Sequence, residues 1–262
     1  MTIRRRNIMK KIIATLLTVI MVAAMFAGCG NKSASGKDTL VVGTNAAFPP
    51  FEYAGADGTP EGFDIALINA IGEKMGKKIE VKDMEFDSLI ASIGNKIDMA
   101  IAGMTVTDER KKTVDFSKSY YNAVQTVIVP VDSSIASYDD LVDKKIGVQL
   151  GTTGDFTAED IVGEGKGAEE SQYNKGVDAV NDLLNGRLDC VIIDTNPAKV
   201  FVSQYPDQLK AVDGSEFGFE PEEYAIALPK GDKELLDAVN KAIDELKADG
   251  TYDALVKEYI NN

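Results

Sequence analysis

Apolar runs with strand character alternate along this chain with segments whose apolar residues recur every three or four positions. Residues 40–44 form the first such run. A helical segment follows over 64–77, with Ile65, Ile68, Ile71 and Met75 on one face. Asp64 is placed to cap that helix. Residues 78–84 are strand-like, 87–95 helix-like and 98–103 strand-like. This βαβαβ order predicts a largely parallel sheet with helices on both faces.

The alternation then starts again. The pattern predicts a strand over 145–150, a helix over 155–162, a weak strand over 169–173 and a helix over 177–184. A strand over 190–193 and a helix over 197–204 come next. An apolar run over 224–228 precedes two helices, 232–247 and 251–260. A faint repeat links the two halves: LIASIGNKIDMAIAG at 89–103 aligns with VNDLLNGRLDCVIID at 180–194. Gly103 and Asp194 fall at the same place in it, the C-terminal end of a strand. Open α/β sheets bind ligands outside those ends, so two such edges facing each other form a cleft.

Four loops hold the candidate chemistry. In GTNAAFPPFEY, residues 43–53, two prolines stop the strand and aromatic residues crowd the loop. Those rings either pack in the core or line a pocket. In GMTVTDER, residues 103–110, Thr107 suits a helix cap and Asp108 and Glu109 suit a first turn. Arg110 does not suit that end of the dipole. It is either a surface residue or a bidentate grip on a carboxylate, completed by Thr105 and nearby N–H groups. In QLGTTG, residues 149–154, glycines and threonines at a helix start form an anion site of backbone amides. The loop lacks a phosphate-loop lysine, so a carboxylate suits it better than a triphosphate. Asp194 ends an apolar strand without a basic neighbour. It either caps the next helix or meets a ligand ammonium group.

Charge and composition narrow the classes. Residues 1–28 combine a basic start, an apolar run over 12–27 and Phe26-Ala27-Gly28-Cys29. This is a secretory signal, and its end resembles the bacterial lipobox, in which the cysteine (Cys29) is lipidated. The alternative, a transmembrane anchor, needs about 20 apolar residues, more than the run supplies. The polar stretch 31–37 reads as a flexible tether. Net charge is −14, and without the signal 23 basic residues face 42 acidic ones, or −19. Such an excess of acid repels nucleic acid. The chain has no histidine and two cysteines. Cys190 lies in an apolar strand, so no disulfide framework follows. The commonest general base and zinc ligand are missing, and neither GxGxxG nor GxxxxGK[ST] occurs; the expectation is no metal and no cofactor.

Asn45-Ala-Ala-Phe-Pro-Pro-Phe-Glu52, Gly62-Phe63-Asp64, Thr105-Val-Thr-Asp-Glu-Arg110, Asp115-Phe116-Ser117, Gly151-Thr-Thr and Asp194-Thr occur in order between about residues 39 and 259. In these motifs the chain resembles the polar amino-acid binding proteins of bacterial ABC importers, family 3 of the extracellular solute-binding proteins. The resemblance implies an α/β, two-lobed periplasmic-binding-protein-like fold with two hinge crossings. Lobe one would comprise 39–120 and 224–262, lobe two 125–217, and the hinge 121–124 and 218–223, after a signal peptide (1–28) and a lipidated tether (29–38).

It also implies roles. Arg110 would hold the ligand α-carboxylate. Thr105 and the backbone at Ala102 and Gly103 would bind carboxylate and ammonium, and Thr153 with Thr152 would close on the carboxylate from lobe two. Asp194 would take the ammonium, and Phe48 and Phe86 would sandwich the ligand side chain. Phe51 is expected in the core. Asn45 and Gln149 depart from charged residues found at these places in relatives, and Glu52 restores a negative charge if it points inward. The implied function is binding of a free polar amino acid and delivery to a membrane permease by a monomer on the extracellular face of the membrane, or in the periplasm where an outer membrane exists. Two other classes stand beside it. A cyclohexadienyl dehydratase-like enzyme on this fold needs a positioned acid, which without histidine falls to a carboxyl group. A receptor's sensing domain needs a membrane span or signalling domain that the chain does not show.

Overall fold

The first apolar run becomes strand β1 (Thr39–Thr44), with Leu40 and Val42 fully buried. The computed structural model describes residues 37–261, so the signal segment, Cys29 and most of the tether lie outside the described residues. Strands β2 (Ala47–Phe48), β3 (Glu52–Ala54) and β4 (Pro60–Glu61) form a small antiparallel sheet, and the Pro49–Pro50 peptide within it is cis. Gly62, at φ 120°, passes so close to this sheet that a Cβ would stand 2.4 Å from the Phe51 carbonyl oxygen.

Helix α1 (Phe63–Met75) follows and buries Phe63, Ile65, Leu67, Ile68 and Ile71, as its period predicts. Gly76 ends it in the left-handed conformation. Asp64 does not cap it. Gly62 holds the cap position, and the Asp64 carboxylate turns inward to accept from Gly103 N–H (2.8 Å) and Tyr120 O–H (2.7 Å).

Strand β5 (Lys78–Asp83) is close to expectation, but the helix expected over 87–95 is short. A 3-10 turn over Phe86–Ser88 leads into α2 (Leu89–Ser92), and the Ser92 carbonyl then accepts from Asn95, Lys96 and Ile97 in a tight reversal. The strand expected over 98–103 pairs only at β6 (Met99–Ala100). Beyond it the backbone leaves the ladder and aims Ala102, Gly103 and Thr105 at the cleft. Helix α3 (Asp108–Thr113) is capped by Thr107, whose Oγ1 accepts from Arg110 N–H.

Strands β7 (Val114–Phe116), β8 (Tyr121–Ala123) and β9 (Gln125–Pro130) carry the chain across to its second half. There β10 (Lys145–Gln149), α4 (Thr153–Gly163), β11 (Glu169–Tyr173), α5 (Gly176–Leu184), β12 (Cys190–Asp194), α6 (Thr195–Gln204) and β13 (Leu209–Val212) follow the predicted order. The chain returns through β14 (Glu222–Tyr224) and β15 (Ala227–Pro229), then ends in α7 (Lys233–Ala248) and α8 (Thr251–Tyr259). The apolar run at 224–228 is thus split between two strands. Asp232 caps α7, which packs on α1.

Two five-stranded sheets result, in the orders β5-β1-β6-β15-β7 and β11-β10-β12-β9-β13. Each has three parallel strands, and the fourth, β15 or β9, runs antiparallel to both of its neighbours. The repeat is visible in detail. Asp98 Oδ2 accepts from Val41 N–H at 2.9 Å, and its counterpart Asp189 accepts from Lys145 N–H at 2.8 Å. β8 and β14 pair with each other, Tyr121 opposite Tyr224, and form the only sheet that joins segments between the two large ones among the described residues. An aromatic cluster braces this junction. Phe51, 1% exposed, lies 4.9 Å from Tyr121 and 5.2 Å from Tyr224, centroid to centroid, so the core expectation for Phe51 holds. Cys190 is buried and unpaired. No helix of the described residues is long and apolar enough to cross a membrane.

Candidate functional site

The C-terminal ends of β1, β6, β10 and β12 converge on one pocket between the sheets. All twelve residues expected at the site line it: Asn45, Phe48, Glu52, Phe86, Ala102, Gly103, Thr105, Arg110, Gln149, Thr152, Thr153 and Asp194. The two halves touch across it. Arg110 Nη2 donates to the Gly151 carbonyl at 2.8 Å, and Gln149 Nε2 donates to Asn45 Oδ1 at 2.9 Å. Asn45 is in turn held by its own amide donating to the Met84 carbonyl.

Arg110 is buried, 7% exposed. Nη1 donates to the Thr105 carbonyl (2.6 Å), and the guanidinium lies 5.4 Å from the Phe86 ring centroid. No carboxylate of the described residues forms an ion pair with it. Burial lowers its pKa to about 10, against the pull of the Glu222 and Asp194 charges. A buried cation with aimed donors and no anion in contact is equipped to receive one. This excludes the surface reading of Arg110.

Asp194 is also buried. It occupies the cap position of α6, but its side chain makes no capping bond, so the capping alternative falls. Its Oδ1 accepts from Tyr224 O–H at 2.5 Å. Burial, then the Glu222 charge, raises its pKa to about 7, while the bonds from Tyr224 and Gln125 oppose the rise. A cation placed beside it would reverse that shift.

Glu52 settles a point that the sequence left conditional. It points inward, is 1% exposed, and meets no basic side chain or N–H of the described residues; its one polar partner is the Asp64 carboxyl group, with which it shares a proton. Burial first, then the Asp64 charge behind it, pushes its pKa well up. Asp64 itself rises to about 6 by burial, held back by bonds from Gly103 N–H, Tyr120 O–H and the Glu52 carboxyl group. Glu52 thus brings a carboxyl group into the pocket lining, with Asp64 hydrogen-bonded to it and no basic side chain paired with either.

The aromatic residues bound the space. Phe48 packs over Gly103, at φ 50°, where a Cβ would come within 2.8 Å of its ring; only glycine suits this turn. Thr152 caps α4: its hydroxyl accepts from Asp155 N–H (3.2 Å) and donates to the Gln149 carbonyl (2.7 Å). Its side chain therefore shapes the loop first. Tyr53, undecided in sequence, is half-buried and lines no part of the pocket. Among the described residues one carboxylate group has metal-like spacing, Asp155, Glu159 and Glu170, outside the pocket. Asp155 is already engaged by Gly151 N–H and Gln172, which marks it as a tie for the loop.

Sequence reasoning missed the residues behind this lining. Tyr224 orients Asp194, Tyr120 and Asp64 hold the Gly103 turn, and Glu222 accepts from Thr105 and Thr153.

Comparison with known proteins identifies the family. A family model for bacterial extracellular solute-binding proteins, family 3, matches residues 40–262. The arginine-binding extracellular protein ArtP of Bacillus subtilis is 37% identical over 255 residues, 96% of this chain and 98% of that protein. A probable histidine-binding protein of Neisseria gonorrhoeae is 33% identical, over 96% of each chain. The solved structure of an ancestral arginine-binding protein bound to arginine has a TM-score of 0.81 at 41% identity, covering 86% of this chain and 99% of that one.

Proposed function

The chain belongs to the bacterial extracellular solute-binding proteins, family 3, and from that premise we propose that it captures a free L-amino acid with a cationic, arginine-like side chain and delivers it to the permease of an ABC importer. Arg110 takes the α-carboxylate with the backbone of the Gly103 and Gly151 turns, and Asp194 takes the α-ammonium. Phe48 and Phe86 cover the aliphatic stem. The observation that carries the choice of side chain is Glu52, a fully buried carboxyl group in the pocket lining that meets no basic side chain of the described residues. A guanidinium brought against it favours its ionised form and supplies a bidentate partner. Relatives named for arginine and for histidine support the same class, beside one named for cystine.

Binding proceeds by closure. Residues 39–120 and 224–262 act as lobe one and 125–217 as lobe two, bending at 121–124 and 218–223. Ligand contacts from both lobes favour the closed form already tied by Arg110–Gly151 and Asn45–Gln149. The protein works as a monomer, anchored outside the cell membrane through a lipid on Cys29. It is a binder rather than an enzyme: a dehydratase on this fold fits less well, because the relatives are named for binding. Calorimetric titration with arginine and with citrulline, its neutral isostere, tests the reading. Arginine should bind at least about 30-fold more tightly, the lower end expected for losing one partner of a buried charge pair. Equal affinities would overturn the cationic class.

A further inference from the structure

Glu222 stands on the returning hinge strand β14, half-buried and outside the pocket lining. Its Oε2 accepts from both Thr105 Oγ1 and Thr153 Oγ1, the latter at 2.8 Å. Its Oε1 accepts from Gln125 Nε2 at 3.2 Å, and the same amide donates to Thr153 Oγ1 at 3.1 Å. A hydroxyl carries one proton, and a carboxylate only accepts. Thr105 and Thr153 have both committed that proton to one oxygen of Glu222. Only lone pairs remain on either hydroxyl, and one of those on Thr153 already accepts from Gln125. In that state they accept from an ammonium group and have nothing to donate to a carboxylate.

Their place agrees with this polarity. The Thr105 backbone bridges to Tyr224, whose hydroxyl donates to Asp194, so Thr105 lies on the wall that carries Asp194, and Thr153 lines the same pocket. We propose that Glu222 is a positioning residue that turns Thr105 and Thr153 into acceptors, so that this wall recognises the ligand α-ammonium and the α-carboxylate is left to Arg110 and backbone N–H groups. The inference rests on the reading of the cleft as an amino-acid site. It reassigns Thr153, which the family resemblance places on the carboxylate, and it gives Glu222 a role that packing or closure alone would not.

The test is a calorimetric titration of wild type, Glu222→Gln, Thr105→Val/Thr153→Val, and the triple variant. The ligands are arginine and 5-guanidinopentanoate, which is arginine without its α-amino group; melting curves without ligand report folding. A glutamine of the same shape can offer its amide N–H to the threonines and turn their protons into the cleft. Glu222→Gln should weaken arginine about tenfold, the size of a hydrogen bond to a charged group. It should leave 5-guanidinopentanoate within about twofold, since that ligand has no ammonium for the wall to read. In the valine background Glu222→Gln should cost nothing further, because its targets are gone. Equal losses for both ligands, or a loss that persists beside the valines, would overturn the inference while leaving the amino-acid reading intact. Failure of wild type to bind arginine or any other amino acid would overturn both.

Discussion

Replacing Glu52 with glutamine removes a charge and almost no volume. The carboxyl group is 1% exposed and meets only the Asp64 carboxyl group, so a bound cation would be its one oppositely charged partner. Truncating one member of a buried charge pair costs about 2–5 kcal/mol. Two features pull the expectation to the low end. Glu52 must first give up the proton that burial and Asp64 favour, which lowers the net gain from pairing. Asp64, with a pKa of about 6, is ionisable behind it and retains some attraction for a cation. We expect a loss of about 2–3 kcal/mol for arginine, or roughly 30- to 200-fold in Kd. Citrulline and glutamine should lose little or gain. Without ligand the variant should melt no lower than wild type, because an isolated buried carboxyl group is a liability to the fold. Calorimetry at pH 7.5 and thermal melts measure both. An arginine Kd within threefold of wild type would refute the assignment of Glu52 to the ligand side chain.

The same pair makes binding and stability depend on pH. The raised carboxyl groups bind more protons in the folded than in the unfolded chain. Stability without ligand should therefore be greatest in acid and fall as pH rises from the ordinary carboxylate range through about 6, the value for Asp64. A cationic ligand favours the ionised forms, so arginine affinity should rise over that window with release of protons, and Glu52→Gln should flatten the rise. Arg110→Ala and Asp194→Ala should each fold and each lose about 2–5 kcal/mol of binding; near-wild-type affinity in either would remove that residue from the site. Tyr224→Phe takes the hydrogen bond from Asp194 and should push its pKa above about 7. Its affinity deficit should therefore be larger at pH 6 than at pH 8, and a pH-independent deficit would contradict this. Cys29→Ser should release the protein from membranes with binding intact, measured by fractionation and titration; a variant that stays with washed membranes would contradict the lipid anchor.

The order of elements was legible because it depends on local period. The apolar spacing of Ile65, Ile68 and Ile71 and the edge strand over 169–173 survive unchanged in α1 and β11. The site lining was legible for a related reason. Its residues sit in short motifs where strands end, and the repeat of Asp98 and Asp189 already placed Gly103 and Asp194 at matching strand ends. What depends on distant segments was not legible. The direction of β9 and β15 follows from where the chain crosses between sheets, which period does not encode. The strand expected over 98–103 stops at Ala100, because Gly103 is drawn to Asp64, 39 residues earlier. That same bond takes Asp64 away from the cap its position suggested. Whether Glu52 faced the pocket, and whether any donor met it, was decided by how the small β2–β3–β4 sheet docks on α1. Glu222 is the clearest case. Its partners lie 117 and 69 residues away, and only the paired crossing strands bring its carboxylate between them. Sequence carries the period and the chemistry of each segment, whereas electrostatic partnership is a property of the distances that folding creates.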